Sequence, residues 1–105
     1  MPLNPKKPLG EFLPVGNYQC VDFVKAHGFS HLRGNAHVWI QYVNSDIPTI
    51  GGVVILNESK LGHLALILNY DEQLIYIVEQ NYLGLGIVSY RQIERDYSKI
   101  NGYIY

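Results

Sequence analysis

Residues 62–81 read GHLALILNYDEQLIYIVEQN, and this stretch decides what kind of fold the chain can adopt. Two apolar runs of strand length, residues 62–69 and 74–81, flank a short polar segment. The pattern predicts two strands joined by a hairpin turn over residues 69–73. Because a hairpin pairs its strands in antiparallel orientation, we expect an antiparallel sheet at the centre of the fold.

The register of this hairpin decides which polar side chain faces His63. Glu79 and Asn81 are two residues apart and therefore share one face of their strand. If the turn is centred on residue 71 or 72, His63 lies opposite Glu79 or Asn81. A turn centred between those two positions would instead place Gln80 opposite His63 and direct Glu79 and Asn81 to the other face. A site that joins His63 to either residue therefore requires an odd-length turn.

The segments outside the hairpin predict helices before it and further strands around it. Apolar spacing predicts helices over residues 18–26 and 35–43. A β-branched run predicts a strand over residues 52–56, and two more strands are expected over 86–91 and 102–105. Helices followed by strands with short turns indicate an α+β fold with an antiparallel sheet of about five strands.

The composition is that of one globular domain preceded by a short arm. The chain has 105 residues, of which 48% are hydrophobic, and its formal net charge is -1. This balance argues against nucleic-acid binding, which normally requires a basic patch. No apolar run reaches the roughly 18 residues that cross a bilayer, and no secretory signal is recognisable. We therefore expect an arm over residues 1–14, a single domain over residues 15–105, and no membrane insertion.

The single cysteine, Cys20, is either an apolar filler or a reactive thiol, since it has no partner for a disulfide within the chain. It falls in the first turn of the first predicted helix, where free N–H groups and the helix dipole favour a thiolate. A cysteine protease-type site also needs a histidine and a polar group that orients the histidine. His63, with Glu79 or Asn81 beside it, fits these two requirements.

Five segments resemble, in order, those of the CHAP family, the cysteine- and histidine-dependent amidohydrolases and peptidases with a papain-like fold. The resemblance extends over about residues 15–105. The matching segments are YQCVDFV at residues 18–24, Gly34-Asn35-Ala36 followed by Trp39, PTIGGVV at residues 48–54, GHLALI at residues 62–67 and VEQNY at residues 78–82. Arg91 and the closing Gly102-Tyr103-Ile104 also fit the last strands of that family.

The resemblance implies that Cys20 is the nucleophile and His63 the general base. It further implies that Glu79 orients the histidine and that Asn81 assists it. Gln19, with backbone N–H groups near Cys20, is a candidate contributor to an oxyanion hole. The residues assigned to a substrate groove are Tyr18, Trp39 and Tyr82, although a core position is the favoured alternative for Trp39.

The implied activity is cysteine-dependent hydrolysis of an amide bond in peptidoglycan, at the cell wall, without a metal or an organic cofactor. The bond is either the amide between muramic acid and L-alanine or a peptide bond of the stem or cross-bridge. A phage endolysin, an autolysin and an antibacterial effector all fit this activity. Residues 11–17 contain one carboxylate, too few for a structural Ca²⁺, which takes about six to eight oxygen ligands.

Two other classes of function stay open. One is a wall-binding module that keeps the fold without turnover, and the other is an intracellular amidase acting on small thiol or polyamine conjugates. The combination of Cys20, His63 and Glu79 favours an enzyme over a binding module. A separate wall-binding domain or an immunity protein is left open as a partner.

Overall fold

The computed structural model describes residues 20–80 and 87–105, which form short helical segments followed by a five-stranded sheet. The sheet is antiparallel throughout, with strand order β4-β3-β2-β1-β5. This arrangement confirms the predicted α+β fold. The elements are α1 (Cys20–Val24), a π-helical turn (Lys25–Phe29), a 3₁₀ helix (Ala36–Tyr42), β1 (Val53–Leu56), β2 (His63–Tyr70), β3 (Leu74–Gln80), β4 (Val88–Glu94) and β5 (Ile100–Ile104).

The two helical segments differ in form from the predicted regular helices. α1 passes into the π-helical turn, and its helical path is broken at Gly28, whose φ of 110° lies in the left-handed region that favours glycine. The second segment is a 3₁₀ helix, within which Trp39 donates its indole N–H to the carbonyl oxygen of Gly34 at 3.0 Å. β-Branched Val38 and Ile40 flank Trp39 and weaken the preference for a regular α-helix.

The last two strands begin or end at residues other than those predicted. β4 extends to Glu94 because it pairs with β3 along its whole length, from Gln80 and Val88 to Leu74 and Glu94. β5 begins at Ile100 and pairs with β1. As an edge strand β4 carries polar side chains on much of its surface, so apolar alternation is a weak guide to its extent.

Alternation along the strands divides the apolar residues between the two faces of the sheet. The helical segments pack on one face, and the other face carries a second apolar cluster. The helix-side cluster includes Phe23, Val24, Trp39, Val53, Ile55, Leu64, Leu66 and Val78. The second cluster comprises Val54, Leu56, Ala65, Ile67, Ile75, Ile77, Ile93 and Tyr103.

The sheet is curled, with the second cluster on its concave side. β4 and β5 lie at opposite edges, about 19 Å apart in a flat sheet with the usual strand spacing. Only residues 95–99 join them, and turn hydrogen bonds from Tyr97 N–H to Glu94 and from Ile100 N–H to Tyr97 shorten this link. The two edges must therefore approach each other, which brings side chains of non-adjacent strands together on the concave face.

Candidate active site

The hairpin of β2 and β3 has the register that directs His63 and Glu79 to the same face. Leu66 lies across from Val78 in a ladder centred on residue 72. Continuing that register puts Glu79 across from Ala65. His63 is two residues before Ala65 on the same face, so it is a diagonal neighbour of Glu79, at a distance that long side chains can bridge. The His63 Nε2 and Glu79 Oε1 atoms are 2.6 Å apart. The predicted association of the imidazole with this carboxylate is therefore present in the structure.

A β-bulge makes this register possible. Nearer the turn, Tyr70 lies across from Ile75, a register shifted by one residue from that of the rest of the hairpin. Had the shifted register continued, Glu79 would face the opposite side of the sheet from His63. The extra residue in β2 is Leu68, and it restores the odd register before His63 is reached.

Cys20 is the first residue of α1 and meets the imidazole of His63. Its thiol is free and partly exposed, and it hydrogen-bonds with the His63 side chain. Because Nε2 of His63 faces Glu79, Nδ1 is the ring nitrogen left to meet the sulfur. His63 is 7% exposed, so the imidazole is largely shielded from water while the thiol beside it remains accessible.

The surroundings of His63 favour the imidazolium. Burial on its own would lower the pKa of His63, but hydrogen bonds and charge interactions with Cys20 and Glu79 outweigh it and raise this pKa to about 9. At neutral pH the ring is therefore protonated and flanked by a thiol and a carboxylate. This is the arrangement in which a proton can be held for a leaving group.

Arg91 holds the carboxylate of Glu79 from the side opposite His63. Glu79 is fully buried, and a buried charge is costly unless it is paired and hydrogen-bonded. Arg91 donates from Nε to Oε2 and from Nη2 to Oε1 of Glu79, both at 2.9 Å. This two-point contact fixes the plane of the carboxylate toward the imidazole.

A second carboxylate, that of Glu58, holds Arg91 in turn. Arg91 donates from Nη1 to Oε2 at 2.8 Å and from Nη2 to Oε1 at 2.7 Å of Glu58. The Tyr97 hydroxyl donates to Oε2 of Glu58 at 2.6 Å. Burial would raise the pKa of Glu58, but hydrogen bonds from Arg91 and Tyr97 outweigh it and lower this pKa. The linked side chains are, in order, Cys20, His63, Glu79, Arg91, Glu58 and Tyr97.

The sequence analysis identified no role for Arg91, Glu58 or Tyr97 in this site. The role of Arg91 had a detectable signal, since a basic residue on the strand next to Glu79 is a natural partner for a buried carboxylate. The sequence contains no comparable signal for Glu58 and Tyr97, because their contacts depend on the curl of the sheet.

The 3₁₀ helix supports the segment that leads into β2. Gly62 has a φ of 78°, and a Cβ atom added there would lie 2.7 Å from the backbone nitrogen of His37. His37 donates its backbone N–H to the carbonyl oxygen of Leu61 at 2.8 Å, and its Nδ1 lies 3.1 Å from the same oxygen. Only glycine at position 62 permits this close approach, which sets where His63 begins its strand.

The remaining predicted site residues have two outcomes. Trp39 is fully buried in the helix-side cluster, so its assignment to a substrate groove was wrong, because its indole packs under the sheet and bonds to Gly34. Four other predicted site residues lie outside the part of the chain that the structure describes: Tyr18, Gln19, Asn81 and Tyr82.

Within residues 20–80 and 87–105, no group of three or more His, Cys, Asp or Glu side chains is arranged to hold a metal ion. In the same ranges, every helix is too short or too polar to span a bilayer.

Comparisons with known proteins give a family and a fold. The family model of the CHAP domain matches residues 13–81, which is more than half of the chain. No curated protein matches the chain significantly.

Among solved structures, the chain is similar in fold to several proteins at low sequence identity. The crystal structure of Ly7917 with the hydrolysing product of MDP has a TM-score of 0.68 and 17% identity, over 86% of this chain and 54% of that one. A second structure of Ly7917 has a TM-score of 0.66 and 18% identity, over 90% and 56% of the two chains.

An N-acetylmuramoyl-L-alanine amidase from Staphylococcus aureus has a TM-score of 0.59 and 21% identity, over 83% of this chain and 30% of that one. The present chain thus spans about half of Ly7917 and less than a third of the amidase. These similarities confirm the predicted papain-like α+β fold.

Proposed function

Because this chain belongs to the CHAP domain family, we propose that it is a peptidoglycan hydrolase that cleaves an amide bond with Cys20 as its nucleophile. The observation that carries the proposal is the contact of three side chains from distant parts of the chain. The thiol of Cys20 meets the imidazole of His63, which is 2.6 Å from the carboxylate of Glu79. A thiol, a base and an orienting acid in this order are the components of nucleophilic amide hydrolysis.

The first half of the reaction forms an acyl-enzyme. The Cys20 sulfur, as a thiolate, attacks the carbonyl carbon of the amide, and the electron pair of the C=O bond moves to oxygen. The tetrahedral intermediate collapses when the C–N bond breaks and His63 gives its proton to the leaving nitrogen. The products of this half are a free amine and a thioester on Cys20.

The second half releases the acyl group with water. Neutral His63 takes a proton from a water molecule, whose oxygen attacks the thioester carbon. Collapse of this second intermediate breaks the C–S bond and returns Cys20 as a thiolate and His63 as an imidazolium. Glu79 holds the ring in one orientation through both halves, because its carboxylate is itself held by Arg91. None of these steps calls for a metal or an organic cofactor.

The family and the names of the structural relatives support a substrate class for the proposal. One solved relative is a structure with the hydrolysing product of MDP, and another is an N-acetylmuramoyl-L-alanine amidase. We infer that this chain acts on the cell wall, on either the muramoyl-alanine amide or a peptide bond of the stem or cross-bridge.

The test is digestion of purified peptidoglycan with mass analysis of the released fragments. The wild-type protein is expected to release new amino termini, and the Cys20→Ala variant is expected to release none. Free L-alanine amino termini identify the muramoyl-alanine amide as the bond, and other termini identify a peptide bond.

Three outcomes would contradict the proposal. Hydrolysis by Cys20→Ala equal to that of the wild type would exclude the cysteine mechanism. Sedimentation of the protein with cell walls without any new termini would indicate a binding module, and amine release from small thiol or polyamine conjugates alone would indicate an intracellular amidase.

A further inference from the structure

Glu58 lies outside the proposed catalytic set but is joined to it through Arg91. The guanidinium makes two hydrogen bonds to Glu58 and two to Glu79, all between 2.7 and 2.9 Å. The Glu58 and Arg91 side chains are 13% and 16% exposed, so their interaction is only partly screened by water. Glu58 is therefore held in a defined position beside the site by hydrogen bonds.

The charges in this cluster explain why a second carboxylate matters. A lone Arg91 next to Glu79 would cancel most of the negative charge that the imidazole of His63 senses. Glu58, on the other side of the guanidinium, brings the net charge of the three groups back to -1. Because charge interactions are strong where water is largely excluded, the negative charge of Glu58 beside Arg91 affects the protonation of the His63 ring.

We propose that Glu58 is a positioning residue that, anchored by Tyr97, orients Arg91 against Glu79 and offsets its charge, so that His63 stays protonated beside the Cys20 thiol. The inference rests on the proposed function of the site. It adds a route by which a residue outside the three catalytic groups sets the working pH range of the enzyme.

The charged and titratable groups in and near the site lie on several elements. α1 contributes Cys20, β3 contributes Glu79 and β4 contributes Arg91. The 3₁₀ helix contributes His37, which contacts the carbonyl oxygen of Leu61. The segment between β1 and β2 contributes Glu58, and the exposed Lys60 lies in the same segment. Among these, Glu58 supplies negative charge to the guanidinium through hydrogen bonds and interacts with His63 through charge.

The experiment compares Glu58→Gln with Glu72→Gln. Glu58→Gln removes one negative charge at Arg91 and keeps the size of the side chain. Glu72→Gln removes the same charge at an exposed position in the hairpin turn. The titration of the His63 ring is followed by NMR of imidazole resonances, alongside the pH profile of Cys20 alkylation by iodoacetamide.

The expected result is a shift of the His63 titration to lower pH by about half a pH unit or more in Glu58→Gln. Removing a nearby negative charge disfavours the imidazolium, which fixes the sign of the shift. Glu72→Gln should titrate like the wild type. Glu58→Asp, which restores the charge, should recover most of the shift. If Glu58→Gln does not fold, the smaller downward shift expected of Tyr97→Phe is the test.

The inference is overturned if Glu58→Gln titrates like the wild type, or if Glu72→Gln shifts the titration equally. Tyr97→Phe keeps the charge of Glu58 and removes one of its hydrogen bonds, so its shift should be smaller than that of Glu58→Gln. Ring titration needs no peptidoglycan turnover. Wild-type protein that titrates as described but releases no wall fragments would therefore refute the proposed function and leave this inference standing.

Discussion

At the scale of single residues, His63 is the point where the chemistry of the site converges. Its ring lies between a thiol at the start of α1 and a fully buried carboxylate on β3. Burial alone would make the ring neutral at physiological pH, and the two acidic neighbours reverse that tendency. The result is a histidine that carries a proton at neutral pH.

The first prediction concerns the reactivity of Cys20. The thiolate is the reactive form of a cysteine, and the imidazolium of His63 lies beside the Cys20 sulfur. Alkylation by iodoacetamide at pH 7 should therefore be fast in the wild type and at least about tenfold slower in His63→Ala. His31→Ala, at an exposed position, is the matched control and should react like the wild type. Equal rates in all three proteins would show that His63 does not activate the thiol.

The second prediction is the pH dependence of stability. The pKa of His63 is about 9 in the folded protein, whereas the ordinary pKa of a histidine side chain is 6.5. A raised pKa contributes stability that is fully present below pH 6.5 and is lost as the pH rises to about 9, a difference of about 3 kcal/mol. Urea unfolding at pH 6 and pH 9.5 should show this loss in the wild type and a much smaller loss in His63→Ala. A wild-type stability that rises over this interval would contradict the raised pKa.

The third prediction concerns the carboxylate that orients the ring. Glu79→Gln keeps the shape of the side chain but removes the charge that favours the imidazolium. We expect activity on peptidoglycan to fall about 10²-fold or more, as is typical when a group supporting acid–base catalysis is lost. Glu94→Gln, at an exposed position on β4, should leave activity unchanged. The activity of Glu79→Gln should fall more steeply toward high pH, which loss of folding alone would not produce.

At the scale of elements, the placement of His63 depends on the two ends of β2. At its start, Gly62 lies against the backbone of the 3₁₀ helix, and near its end the bulge at Leu68 corrects the register of the hairpin. The strand itself is apolar and would pair in several registers. The two local irregularities select the one that brings the imidazole to Glu79.

The fourth prediction tests the start of β2. Gly62→Ala meets both an unfavourable positive φ and a clash with the backbone of His37, so we expect a loss of about 2–4 kcal/mol in unfolding free energy. Gly34→Ala is the matched control, since Gly34 has a φ of 97° but its added Cβ would meet only the Val38 side chain, at 3.0 Å. Gly34→Ala should be destabilised less than Gly62→Ala, and alkylation of Cys20 in Gly34→Ala should proceed as in the wild type. Equal losses in the two variants would show that the close approach of position 62 to the backbone of His37 contributes nothing.

At the scale of the whole molecule, one sheet separates two apolar clusters, and the site joins a thiol from the helix side to side chains on the concave face. The helix-side cluster holds α1 and hence Cys20, while the concave cluster lies beside His63 and Glu79. Since both clusters are built on the same strands, neither can melt without the other. Glu58, in the segment between β1 and β2, then meets Arg91 on β4, although β1 and β4 are not neighbours in the sheet.

The fifth prediction follows from this shared sheet. Trp39 is the single tryptophan, and it is fully buried, so its fluorescence reports the helix-side cluster. Ile77→Ala, in the concave cluster, should lower stability by about 2–4 kcal/mol and shift the Trp39 and far-ultraviolet circular dichroism transitions together. An exposed position on β4 supplies the control, Gln92→Ala, which should shift neither. A circular dichroism transition that precedes the Trp39 transition would show that the two clusters unfold separately.

The local pattern of the chain determined the order of helices and strands, the hairpin, and the candidates Cys20, His63 and Glu79, because apolar periodicity and alternation are properties of neighbouring residues. Only the tertiary structure decided the register at His63, where an unpaired Leu68 corrects a shifted turn. The curl of the sheet likewise decided that Glu58, in the segment after β1, meets Arg91 on β4, because these two parts of the chain come together only when the whole sheet closes. Burial of Trp39 was decided in the same way, by packing against strands that come later in the chain.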